Sequence, residues 1–114
     1  MRIALVLVLC LSAGAALAQP AGLEIPVQDV DQACARLQNP LTVSQCVRSE
    51  QDSYDFVRAV WPSLSPARRA FCTEHAADQR GKPFYYMTLA SHAQAQATSE
   101  RIQRDRVAPP RFRP

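Results

Sequence analysis

Cys34 and Cys46 stand at equal distance on either side of Pro40, and no other feature limits the possible folds of this chain as strongly. Before the proline, Val27, Val30, Cys34 and Leu37 recur at the three- and four-residue spacing of a helical stripe. Asn39-Pro40 stops that stripe, because a residue before proline is pushed out of the helical region. Beyond it, Val43, Cys46, Val47, Tyr54, Val57, Val60 and Trp61 mark one buried face of a second helix. In an antiparallel helical hairpin, positions equidistant from the turn lie at one height. Each cysteine is about six residues from the turn, roughly 9 Å along its helix at ~1.5 Å per residue. Both also sit on the apolar stripe of their own helix. The spacing therefore predicts a Cys34–Cys46 disulfide, provided the Cα atoms approach within ~7 Å.

A disulfide needs an oxidising compartment, and the N-terminus fits one. Met1 and Arg2 precede the apolar run Ile3 to Leu11, and Ala16-Leu17-Ala18 supplies small residues before Gln19. This pattern predicts a secretory signal peptide over residues 1–18, cut after Ala18. The run is too short for a comfortable membrane span, so the mature chain is not expected to span a membrane. Cleavage removes Arg2 and Cys10 and keeps all 10 acidic residues. A mature chain of this length suits one small domain and excludes a multidomain enzyme. Only Gly22 and Gly81 remain, so no phosphate-cradling glycine loop can be built.

Pro20, Gly22 and Pro26 give residues 19–26 the look of an extended lead-in. Helical patterning then occupies residues 27–100. Thr42 with Gln45 three residues on reads as a capping box opening the second helix, with Leu41 and Cys46 as a hydrophobic staple. Trp61-Pro62 ends that helix. Ser65-Pro66 opens the third, with Ser as N-cap and Pro at the first position. Arg80-Gly81 closes it, and Pro83 opens a fourth helix rich in Ala and Gln. Residues 101–114 carry Arg101, Arg104, Arg106, Arg111 and Arg113 against Asp105, and the prolines there predict a mobile tail. The positive excess of the mature chain lies in this tail. No strand-period segment of useful length appears. The expected fold is all-α: four short helices in two antiparallel hairpins with one disulfide.

Cys72 is left over. The second turn centres on residue 82, so the position opposite Cys72 is 92, which holds His92. The layout is that of a two-disulfide, two-hairpin protein with one cysteine replaced. The run Cys34-Ala35-x-Leu37, then Cys46-Val47-x-x-Glu50-Gln51-x-x-Tyr54-Asp55, then Trp61, Cys72 and Tyr86-x-x-Leu89 resembles a group of short secreted bacterial helical proteins with four cysteines. The resemblance covers roughly residues 30–93 and implies an all-helical exported domain of uncharacterised function. The cysteines around the first turn are also faintly similar to the N-terminal part of LprI-like lysozyme inhibitors, which implies inhibition of an envelope enzyme.

Three constellations carry candidate chemistry. Cys72 and His75 share a helix face, and His92 is expected across the hairpin. One thiolate and two imidazoles suit Zn or Cu. The competing reading is a vanished disulfide, with His92 filling the space and His75 exposed. Glu50 interrupts the apolar face of the second helix, and a lone buried charge is costly, so it should have a partner in Arg36, Arg68 or Arg69. Alternatively, Glu50 joins Asp52 and Asp55 as an oxygen-rich site for a hard cation. The arginine tail can meet an anionic surface such as lipid head groups or cell-wall polymer. Nucleic acid is not an expected partner of an exported chain, and no cofactor is expected beyond Zn or Cu. Nothing in the pattern marks an oxyanion hole or a substrate cleft. The functional expectation is an exported, periplasmic or secreted, non-enzymatic binding or accessory protein of the bacterial envelope, with an unknown envelope protein or anionic surface as partner. A metal-binding protein and an inhibitor of an envelope enzyme stand as alternatives.

Overall fold

Asp29 sets where the first helix begins. Its carboxylate accepts the Gln32 backbone N–H at 2.9 Å, and helix α1 runs Val30–Ala35. The stripe from Val27 had placed the start earlier, but this cap keeps residues 27–29 extended. The computed structural model describes residues 24–114, so the signal segment 1–18 and the start of the lead-in lie outside the described residues. With 6 residues, α1 is far too short to hold by itself and depends on its contacts. After Arg36 the chain turns through Gln38, whose φ of 63° is left-handed.

Helix α2, Pro40–Val60, starts two residues before the expected cap. Asn39, not Thr42, is the N-cap: its side-chain oxygen accepts from Leu41 N–H at 3.0 Å and Thr42 N–H at 3.3 Å. Asn39-Pro40 was expected to stop the first helix, but α1 has already ended at Ala35 and the chain has turned at Gln38. The pair opens α2 instead, since proline at the first helical position gives up a hydrogen bond that would be missing anyway. Leu41 is 68% exposed, so it forms no staple with buried Cys46. The helix ends at Trp61-Pro62 as expected, in a 3-10 turn over Trp61–Ser63.

Helix α3, Pro66–His75, opens with Ser65 accepting the Arg68 N–H at 3.3 Å. It stops at Ala76, earlier than expected, and a 3-10 turn over Ala77–Gln79 leads to Gly81, left-handed at φ 75°. Helix α4 does not begin at Pro83. It runs Tyr85–Val107 behind Phe84, whose own φ is 68°. A left-handed non-glycine residue is uncommon, and Phe84 offers α4 no side-chain cap. The helix continues through Arg101, Arg104 and Arg106, so the arginine segment begins as exposed helix and leaves it only after Val107.

Among the described residues the fold is helical throughout, with no strand. The long helices α2 and α4 pack on one another, α1 lies on α2, and α3 lies on α4. The first hairpin is closed by the Cys34–Cys46 disulfide, with Cα atoms 5.7 Å apart. The second contributes most of the core: Val57, Trp61, Leu64, Cys72, Ala76, Tyr85, Tyr86, Leu89 and Ala93 form one buried cluster. No helix among the described residues is long and apolar enough to cross a membrane.

Candidate functional sites along the helix ends

Glu50 is fully buried, as its place on the apolar face of α2 predicted, but its partner is not an arginine. Its two carboxylate oxygens accept the backbone N–H groups of Tyr86 at 2.9 Å and Met87 at 3.1 Å. These are donors of the first turn of α4, the helix that lacks a cap of its own. Four such donors are left over at every helix start, and the helix dipole favours an anion there. Glu50 therefore caps α4 from a neighbouring helix. The arginines once expected to pair with it are used elsewhere or lie in solvent. Arg68 binds Glu100, Arg69 donates to the carbonyls of Trp61 and Pro62 at 2.9 and 3.2 Å, and Arg36 is exposed.

The same corner fastens the lead-in. Tyr86 donates its hydroxyl hydrogen to the Pro26 carbonyl at 2.8 Å and accepts the Gln28 N–H at 3.1 Å. Burial pushes the Tyr86 phenol up, so it stays a neutral donor. Gln28 in turn accepts the Gly81 N–H at 2.9 Å, and Arg80 donates to the Val27 carbonyl at 3.2 Å. Two open clefts follow the fastened segment. One of about 250 Å³ is lined by Val27, Gln28, Val30, Glu50, Gln51, Tyr54 and Tyr86. The other, about 420 Å³, is lined by Glu24, Ile25, Tyr54, Arg58, Trp61, Pro62 and Arg69. Tyr54 is common to both. Its ring meets Tyr86 edge-on at 4.9 Å, and the Arg58 guanidinium stands 5.9 Å from its centroid.

A second remote cap runs from the C-terminal half of α4 to the head of α3. Glu100 accepts the Ser65 N–H at 2.8 Å and pairs with Arg68 at 3.1 Å. Arg68 also donates to Gln96 at 2.7 Å and Gln103 at 3.0 Å, so one guanidinium spans three side chains of α4. The Ser65 N–H, then the Ser65 hydroxyl and the charges of Arg68 and Arg104, hold the Glu100 carboxyl below the usual carboxylate range against the opposing effect of desolvation.

The proposed soft-metal triad is not assembled. Among the described residues no group of three His, Cys, Asp or Glu side chains could hold a metal ion. Cys72 is fully buried in the core, and desolvation pushes its thiol up, away from the thiolate a metal or an electrophile needs. The rings near His92 are those of Phe71, with centroids 6.3 Å apart, and His75, at 5.8 Å. Equal distance from the turn says nothing of the direction in which each side chain points. Successive residues of a helix point ~100° apart. Ala93 is therefore the residue turned into the core beside Cys72's cluster, while His92 stands at the rim.

The hard-cation site also fails to form, for the same angular reason. Glu50 points inward and spends both oxygens on α4, whereas Asp52 and Asp55 are exposed, Asp55 accepting from Gln51 at 3.0 Å. Arg101, Arg104, Arg106, Arg111 and Arg113 are all exposed, with Arg104 reaching Glu100 at 3.8 Å. The sequence reading missed the remote caps of Glu50 and Glu100 and the Tyr86 clasp. One signal was available: Phe84-Tyr85 supplies no Ser, Thr, Asp or Asn to start α4, so its first N–H groups needed an acceptor from elsewhere. No family model matches the chain, and neither a curated protein nor a solved structure matches it.

Proposed function

We propose that this chain is an exported, non-enzymatic helical binding or accessory protein of the bacterial envelope, which meets a partner protein along the clefts beside its N-terminal segment. The observation that carries the first half is the buried Cys34–Cys46 disulfide, a bond that persists in oxidising compartments. The signal-like pattern of residues 1–18 supports the same reading. The second half rests on Tyr54. Its ring, with Arg58 above it, is shared by two adjoining solvent-open clefts of mixed polar and apolar character. Partly wet aromatic and arginine side chains of this kind are enriched where proteins meet. The exposed arginines at the end of α4 add attraction to an anionic surface nearby.

Fractionation of cells producing the full chain tests the export. The expected product is periplasmic or secreted, begins at Gln19 and carries an oxidised Cys34–Cys46 pair. A reduced, cytoplasmic chain that retains residues 1–18 overturns it. A photo-crosslinking side chain placed at exposed Gln51 or Arg58 in intact cells tests the binding face. One common adduct at both positions, missing at exposed Ala70 on α3, is expected. Identical adducts at all three positions, or none, end the cleft assignment.

A further inference from the structure

We infer that His75 and His92 together form a surface site for one divalent transition-metal ion of the imidazole-binding class, Cu(II), Ni(II) or Zn(II). This goes beyond the binding-protein reading and uses a different face of the molecule. The two rings come from different helices, α3 and α4, and their centroids are 5.8 Å apart with planes tilted by 57°. A metal held by two imidazole nitrogens at ~2.0–2.1 Å puts the ring centres on the order of 5–6 Å apart. The spacing needed for shared coordination is therefore already present.

The chemistry of His75 is also set for a ligand. Its Nδ1 lies 2.9 Å from the Phe71 carbonyl oxygen. A carbonyl only accepts, so Nδ1 carries the proton and the lone pair sits on Nε2. A backbone carbonyl holding the far N–H in this way is the usual outer support of a metal-bound histidine. Stacking on Phe71 at 3.8 Å holds the ring in place. His75 is the last residue of α3, where the negative end of the helix dipole favours a cation. It is exposed and His92 is half-buried, so an ion can reach both. With two protein ligands, water fills the remaining positions, and Cu(II) should bind more tightly than Ni(II) or Zn(II). Cys72 takes no part, because it lies in the core behind this rim.

The test uses untagged, oxidised mature protein. Ni(II) and Cu(II) are titrated by calorimetry into wild type and the His75→Ala, His92→Ala and Cys72→Ala variants. Each histidine variant is expected to lose at least tenfold in affinity, with Cys72→Ala unchanged. The same affinity in either histidine variant, or a loss in Cys72→Ala in which both histidines keep their signals, overturns the site. A second readout on wild type avoids any question of variant folding. Substoichiometric Cu(II) should broaden the ring proton signals of His75 and His92 together, before any other resonance. Broadening of one ring alone, or of neither, refutes shared coordination.

Discussion

At the scale of single residues, the fold turns on polar groups placed where apolar ones would be expected. Glu50 gives both oxygens to the first turn of α4, so its replacement by Ala leaves the buried Tyr86 N–H and the half-buried Met87 N–H without their acceptors. Each orphaned buried group costs about 1–3 kcal/mol, so Glu50→Ala should lower the unfolding free energy by roughly 2–5 kcal/mol. Glu50→Gln should lose less, because one amide oxygen can still accept; urea denaturation of the two variants checks the order. Tyr85 and Tyr86 make the opposite pair. Tyr86 OH holds Pro26 and Gln28, while the buried Tyr85 OH has no partner among the described residues. Tyr86→Phe should therefore destabilise by about 1–3 kcal/mol, and Tyr85→Phe should be neutral or slightly stabilising. Equal losses in both variants would show that the Tyr86 clasp contributes nothing specific.

Whole helices depend on neighbours for what their own sequences lack. α4 begins without a capping side chain and takes one from α2; the Ser65 N–H at the head of α3 is met by Glu100 of α4. This reciprocity gives a pH dependence. The Glu100 carboxyl is held below its ordinary range chiefly by the Ser65 N–H, so its folded value lies below the unfolded one. Its contribution is complete above the unfolded carboxylate value of about 4.3 and is lost as pH falls through the folded value. The stability difference between wild type and Glu100→Gln should be constant from pH 7 down to about 5 and shrink below about 4.3. Thermal denaturation across that range measures it. A difference that grows on acidification would contradict the assignment.

The molecule as a whole has an uneven distribution of support. The second hairpin and the end of α2 share one apolar cluster, whereas the 6-residue α1 leans on α2 with a covalent link. A crosslink closing a loop of this length contributes about 3 kcal/mol in the chain-entropy model. Reduction, or a Cys34→Ser/Cys46→Ser double variant, should lower the unfolding free energy by about that amount. Loss of amide protection should be concentrated in residues 30–39, with the α3–α4 core retaining its own. Hydrogen exchange with and without reductant distinguishes this from uniform weakening, which would mean that the disulfide supports the whole bundle equally.

What the sequence determined by itself was local or periodic. Hydrophobic spacing gave four helices and no strand, Asn39-Pro40 and Trp61-Pro62 gave their breaks, and Ser65-Pro66 gave the start of α3. Equal distance from a turn gave the Cys34–Cys46 pair, because height along a helix follows from residue count alone. The burial of Glu50 was also legible, since a carboxylate on an apolar face has nowhere else to go. Its partner was not. The acceptor and donors are 36 and 37 residues apart and meet only because α2 packs on α4. Rotation about each helix axis was the other quantity left to tertiary packing. Counting from the turn set His92 opposite Cys72, yet Ala93 is the residue that joins Cys72 in the core cluster, and His92 meets the rings of Phe71 and His75. Counting fixes position along an axis, whereas the direction a side chain faces follows from which neighbouring surface its helix buries, and that is decided only when the helices come together.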